Sequence, residues 1–371
     1  MRQLPTKHMD LLQLRRQQQT LRSLETATGP VDLSSNDYLS YARDAELNRA
    51  IHRATVELSH GSSGSRLVTG HTHQHARAEA IVARFHDAEA ALIFNSGYDA
   101  NLALLSTIPR RGEWVFYDAW IHASIRDGIR LGFARNTSFK HNDLNHLKHL
   151  LTRCTGTSYV IVESVYSMDG DGPDLGSLVA LCARFGARLI VDEAHATGVL
   201  GPAGKGLVVA RDLHDHVFAR VHTFGKAMGV HGAAILGSAD LREYLINFAR
   251  PFIYTTALPP SSMVAIQLAY EHLGAHPEHV AELHQLIRVF KQRFQFEGAI
   301  ISNSAIQGLK VPGASASVHL ASRLQEEGFA VKAMRHPTVP EGQERLRICL
   351  HRHNSITDID RLVQTIKELL R

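Results

Sequence analysis

Lys226 stands in Thr223-Phe224-Gly225-Lys226-Ala227-Met228-Gly229, just past an apolar run at Val217–His222. A lysine between glycines at the end of a buried strand is either a solvated charge on a loose loop or an amine partly stripped of water. The second kind can form a Schiff base. Asp192 follows the run Arg188–Val191 and is itself followed by Glu193-Ala194-His195. A carboxylate there could cap a helix, ligate a metal or balance a buried cation, and His195 adds a second polar group that a turn could aim into the same crevice. His122 lies beyond the run Trp114–Tyr117, in Asp118-Ala119-Trp120-Ile121-His122-Ala123-Ser124. It could be a satisfied core imidazole or a flat plate against an aromatic ring. After Ala91–Phe94, Asn95-Ser96-Gly97-Tyr98-Asp99-Ala100-Asn101 opens a helical stretch. A glycine turn at a helix start presents unpaired N–H groups that suit a phosphate.

Each of these features alone has a plain structural use. Together they ask for a ligand with a phosphate, a ring nitrogen that wants an anion, a phenolic oxygen and an aldehyde. Pyridoxal 5'-phosphate has all four. Asp192 would then pair with the ring nitrogen, His195 would lie near the phenolic oxygen, His122 would stack on the ring and Lys226 would meet the aldehyde.

The elements that must position these residues are legible as a rhythm. From about Ala45 to Leu273, short apolar runs (Ala91–Phe94, Trp114–Tyr117, Tyr159–Val162, Arg188–Val191, Val217–His222, Ala233–Leu236) alternate with helical patterns. That is the signature of an α/β domain with a mostly parallel sheet covered on both faces. Ligands in such sheets sit beyond the carboxyl ends of the strands, where the candidates fall. Residues 1–44 read as an arm carrying an exposed helix over roughly Met9–Leu24, residues 45–273 as the large domain, and 274–371 as a smaller C-terminal α+β domain. In the last unit strands are expected at Ala305–Val311, Phe329–Ala333 and Glu344–Leu350, with a helix between Ser315 and Glu327. A final helix begins at the capping-box pattern Ser355-Ile356-Thr357-Asp358. Arg345 and Arg347 alternate along one of these strands, so at least one of them is expected to face solvent.

Five segments carry a family resemblance: Ser34-Ser35-Asn36-Asp37-Tyr38-Leu39, Gly61-Ser62-Ser63-Gly64-Ser65-Arg66, Glu163-Ser164-Val165-Tyr166-Ser167-Met168-Asp169-Gly170-Asp171, Val191-Asp192-Glu193-Ala194-His195 and Thr223-Phe224-Gly225-Lys226. In order and spacing the chain resembles, over nearly its whole length, the α-oxoamine synthases among the fold-type I pyridoxal-phosphate enzymes. The resemblance implies that Lys226 is the Schiff-base lysine and proton shuttle. It implies phosphate contacts from Gly97 and Tyr98, further cofactor hydrogen bonds from Ser167 and Thr223, and a supporting carboxylate at Glu163. Thr256 would reach the phosphate from the partner subunit of a homodimer. Arg347 would hold the amino-acid carboxylate, and Arg22, Asn36, Arg335 and Thr338 would line the substrate end. Phe248–Pro260 and Pro337–Pro340 lean towards the member that joins L-alanine to a pimeloyl thioester of CoA or of an acyl carrier protein; sister members use glycine or serine. Glu193, Ala196, His336 and the run Leu350–Asn354 depart from the usual pattern, the last two near the substrate end.

Bulk properties exclude other classes. The 371 residues are 44% hydrophobic and 20% charged, an ordinary globular composition. A net charge of +4 without a basic block argues against nucleic acid. The first residues lack the apolar core of a signal peptide, no run reaches membrane-spanning length, and three unpaired cysteines suit a cytoplasmic compartment. Alternating histidines at His71, His73 and His75, and again at His351 and His353, offer a metal-dependent hydrolase as a rival. They lie in turn-rich sequence without a nearby acidic set, so no metal is expected.

Overall fold

The computed structural model describes residues 4–18, 20–22, 24 and 30–371. Strand β1 (Val31–Asp32) precedes seven strands of one sheet: β2 (Ala90–Phe94), β3 (Trp114–Asp118), β4 (Arg135–Phe139), β5 (Ser158–Glu163), β6 (Arg188–Asp192), β7 (Ala219–Thr223) and β8 (Ala233–Gly237). Their order is β2-β8-β7-β6-β5-β3-β4, and only β8 runs antiparallel to its neighbours. The strand period of two is visible in the packing. Ile161 and Ile190 join the helices Gly97–Thr107 and Ala123–Leu131 on one face. Val160, Val162, Leu189 and Val191 join Leu144–Thr152 and Leu175–Phe185 on the other. Each such buried aliphatic side chain contributes roughly 1.5–3 kcal/mol, so the register of these strands is strongly fixed.

Because β8 is antiparallel to both β2 and β7, the ends of β2, β3, β5, β6 and β7 all emerge at one edge of the sheet. The chain reverses its direction of travel between β3 and β5: β4 lies outside β3, whereas β5, β6 and β7 extend the other way. This switch point is where an open α/β sheet leaves a crevice.

The second sheet has the order β12-β13-β10-β9, all antiparallel, built from β9 (Ala299–Ile300), β10 (Ile306–Lys310), β12 (Lys332–Met334) and β13 (Arg345–Cys349). Between them β11 (Phe329–Ala330) pairs in parallel with β1. The helices Ala314–Glu326 and Ile356–Leu369 accompany this sheet, and Ser355 caps the latter in a capping box with Asp358, as its sequence predicts. One apolar cluster runs from Val82 and Ala91 through Met263 and Phe290 to Leu346 and Leu362, so the two sheets share a core.

Three expectations need correction. The first helix is Thr6–Gln17 and stops well short of Leu24. Thr20 turns back, donating from both its N–H and its hydroxyl to Arg15 O. Strand β4 is absent from the sequence reading because its residues are largely exposed and polar, as an edge strand allows. Arg345 and Arg347 are both buried. Arg345 is neutralised by Asp169, and Arg347 faces the segment after β1. The packing of the small sheet against the loop after β5 leaves neither to solvent.

Candidate active site

Glu163 and Asp192 are register partners at the last positions of β5 and β6, so two buried carboxyls stand side by side at the switch point. Asp192 is held from two sides. Its Oδ1 accepts from Ala194 N at 2.9 Å and its Oδ2 from Asn101 Nδ2 at 2.8 Å. Asn101 lies one helical turn beyond Gly97, on the helix face that meets the sheet. It also donates to Ser124 Oγ at 3.1 Å. Ser124 Oγ sits 2.8 Å from His122 Nδ1, and Ser124 N donates to the same nitrogen. His122 is thereby the N-cap of the helix Ala123–Leu131, partly open to solvent yet close enough to feel the charges of Asp192 and Lys226. Glu163 Oε1 accepts from His122 N at 2.5 Å. Burial, joined by the charge of Asp192, pushes the Glu163 carboxyl well up, and burial pushes the His122 imidazole down.

Lys226 follows β7 in a turn closed by Gly229 N donating to Lys226 O. At φ +65° Gly229 takes a left-handed conformation, and a Cβ there would come within 2.2 Å of Ala42 N. Only glycine lets the segment after β1 lie over the lysine turn. Lys226 Nζ is 2.8 Å from His195 Nε2, and His195 Nδ1 is 2.8 Å from Tyr38 OH. Tyr38 OH in turn donates to Asn36 Oδ1 at 3.0 Å and accepts from Arg347 Nη2 at 3.3 Å, while Arg347 Nε donates to Ser167 O at 2.6 Å. Burial lowers the Lys226 ammonium to about 8 against the upward pull of Asp192 and Glu163. It lowers His195 further, so that imidazole is neutral. A neutral or readily neutralised amine beside a neutral imidazole, with an arginine fork in the same chain of bonds, is equipped to capture a carbonyl, move a proton and hold a carboxylate.

At the far side of the crevice Gly97 presses against Thr223. A Cβ on Gly97 would sit 3.3 Å from Thr223 Oγ1. Ser96 caps this helix by accepting from Asp99 N, which leaves the N–H groups of Gly97 and Tyr98 outside the helical ladder. The Tyr98 ring is exposed and its hydroxyl donates to Asp127. The donors and acceptors therefore fit pyridoxal phosphate: an anion seat at a helix start, a buried carboxylate opposite it, an open imidazole face, and an amine of lowered basicity.

Lys226, His195, Asp192, Glu163 and His122, with Asn36 and Arg347, thus converge, and Ser167 joins through its carbonyl. Gly97, Tyr98 and Thr223 form the opposite wall. Thr256 is exposed, its carbonyl accepting from Asn95 Nδ2 at 3.0 Å. Arg22, exposed after the first helix, and Thr338, exposed in the turn after β12, stand outside this network; Arg335, in the same turn, is half-buried. Sequence reasoning missed Tyr38, Asn101 and Ser124. Asn101 was within reach, because it falls four residues after Gly97 and so on the same helix face.

The rival metal sites resolve differently. His73 and His75 lie in the helix His73–Phe85, and His75 is tied to Thr72 and to Leu258 O, so no strand presents His71, His73 and His75 to one side. His351 and His353 do meet a carboxylate, Asp32, contrary to expectation. Arg43 already binds both Asp32 and His353 there.

The profile of the aminotransferase class I and II family matches residues 28–366. An 8-amino-7-oxononanoate synthase of Emericella nidulans is 39% identical over 371 residues, covering 92% of this chain and 89% of its own. One from Chromobacterium violaceum is 41% identical over 337 residues, covering 90% and 87%. A serine palmitoyltransferase variant from S. paucimobilis, solved with PLP bound as its adduct with myriocin, superimposes with a TM-score of 0.91 at 27% identity, over 99% of this chain and 98% of that one.

Proposed function

The chain belongs to the aminotransferase class I and II family, and from that premise we propose that it joins L-alanine to a pimeloyl thioester, with loss of CO2, to give 8-amino-7-oxononanoate for biotin synthesis. It is a pyridoxal-phosphate-dependent C-acyltransferase, and relatives of 38–41% identity support the product. When bound, the cofactor supplies an aldehyde for the amino group and a ring that takes up the electrons of the broken Cα bond. Asp192 would hold the ring nitrogen, His122 the ring face, His195 the phenolic oxygen, and the N–H groups of Gly97 and Tyr98, with Thr223, the phosphate.

One observation carries the reading. Lys226 Nζ, His195, Tyr38 and Arg347 form a single hydrogen-bonded chain. Arg347 would fix the carboxylate of the amino acid, which leaves its Cα–H near Lys226 Nζ. Lys226, its ammonium lowered to about 8 and so neutral in an appreciable fraction near that pH, would remove that proton and later return one at the same carbon. Fixed geometry in this chain of bonds supplies much of the rate. Whether the thioester is of CoA or of a carrier protein belongs to the substrate end around Arg335 and Thr338.

The test is an absorbance spectrum of the purified protein beside Lys226→Ala, with CO2 and free thiol measured after adding pimeloyl-CoA and one amino acid. A visible band lost in the variant, and turnover with L-alanine, are expected. Turnover with serine or glycine alone would move the function to a sister enzyme. Absence of any band after adding pyridoxal phosphate would overturn the reading.

A further inference from the structure

The 24 histidines include a run that the active site leaves unused: His272, His276 and His279, in His272-Leu273-Gly274-Ala275-His276-Pro277-Glu278-His279. His272 lies in the last turn of the helix Pro260–Ala275, and His276 follows four residues later as its C-cap. Pro277 then turns the chain, and the helix Glu278–Arg293 brings His279 back alongside. The ring centroids of His272 and His276 are 4.5 Å apart, and those of His276 and His279 are 4.8 Å apart with an interplanar angle of 11°. Glu46, exposed in the first turn of the helix Ala45–Thr55, completes a set with His272 and His276 whose ligand atoms all lie within 4.8 Å of one another.

A second observation points to a ligand. The His272 side chain is only 9% exposed, yet its Nε2 has no hydrogen-bond partner; Asp44 Oδ2, at 3.8 Å, is too far. A buried imidazole nitrogen without a partner costs desolvation unless something fills the place. The neighbours are oriented as ligands of a metal are. His276 Nδ1 is 2.9 Å from Glu278 Oε1, and His279 Nδ1 is 3.1 Å from Tyr41 OH. The carboxylate accepts from His276 Nδ1, which fixes that tautomer and leaves the lone pair of Nε2 free for an ion.

We propose that His272, His276 and Glu46 bind a divalent transition cation of the zinc class, with His279 beside them and water in the remaining position. Two imidazoles and a carboxylate suit such ions. Ligands at about 2.0–2.2 Å from a tetrahedral ion lie roughly 3.5 Å apart, so the site closes by a movement of about 1 Å, which the exposed Glu46 side chain can make. The ion would pin the start of the helix Ala45–Thr55 to the turn between the two later helices. It would thereby steady the segment Asp37–Asp44 that carries Tyr38 and covers Gly229.

The experiment is calorimetric titration of the chelator-treated, cofactor-loaded protein with Zn2+ in a phosphate-free buffer. One saturable equivalent per chain is expected, with binding weakened about tenfold or more in both His276→Gln and His272→Gln and unchanged in His353→Gln. The half-exposed His276 tolerates substitution, so that variant stays informative if His272→Gln fails to fold. Absence of saturable Zn2+ binding, unchanged binding in His276→Gln, or loss only in His353→Gln would each overturn the assignment.

Discussion

At the level of single residues, the chemistry depends on keeping one amine neutral. Burial places Lys226 at about 8, against roughly 10.4 for a lysine in water. In the cofactor-free protein, acylation of Lys226 by an amine-directed reagent should therefore titrate with a midpoint near pH 8, followed by peptide mass spectrometry. A midpoint at the ordinary lysine value would remove the physical basis for its role as base. Tyr38 joins His195 to Arg347 through one hydroxyl. Tyr38→Phe should lower kcat/KM for the amino acid about tenfold or more at a stability cost of roughly 1–3 kcal/mol, which leaves the protein folded for the assay. Equal activity in that variant would show that the bridge is idle. Lys226, Asp192, His195 and His122 were legible because each follows an apolar run. Tyr38 was not, because its partners are distant in sequence, His195 157 residues away and Arg347 309. No local pattern records such a meeting.

At the level of elements, the ends of parallel strands do the positioning, and supports behind them hold those ends. Asp118, the last residue of β3, binds His141 Nδ1 at 2.9 Å, while Asp171, in the loop after β5, lies 2.8 Å from its Nε2. His141 also stacks on Trp120, with centroids 3.8 Å apart. Burial alone would lower this imidazole, but the two carboxylates carry it up to about 9. Its folded value exceeds its unfolded value of about 6.5, so its contribution is complete below about pH 6.5 and is lost as pH rises through 9. The loss should be on the order of 3 kcal/mol. Urea unfolding across that interval should show the decline in the parent protein and a flatter profile in His141→Gln; parallel profiles would deny the clamp. The alternation of β and α, and hence the fold, was readable because buried strands are apolar throughout. The antiparallel placement of β8 was not, since an apolar run does not encode its direction. Nor was β4, whose exposed polar residues resemble a loop.

At the level of the whole molecule, the homodimer that the family resemblance implies makes a quantitative prediction. If Thr256 completes the phosphate site of the partner subunit, Lys226→Ala and Thr256→Arg chains, each inactive alone, should regain activity when refolded together. The hybrid dimer holds one intact site, so an equal mixture should recover about a quarter of the parent activity. No recovery would place Thr256 in its own subunit's chemistry. Another feature acts within one chain. The segment after β1 is sewn to the residues around β13: Cys349 N donates to Leu33 O, Arg352 N to Tyr38 O and Asn354 Nδ2 to Asp32 O. Arg347 meets Asn36 across 311 residues. During synthesis, then, the early strap must wait until the residues around β13 have been made before it can dock. A ribosome-bound chain that already carries Lys226 and Asp192 still lacks the arginine and the cover over the lysine turn. The site is in this sense assembled from both sides of the fold, and it stays incomplete until β13 has joined it.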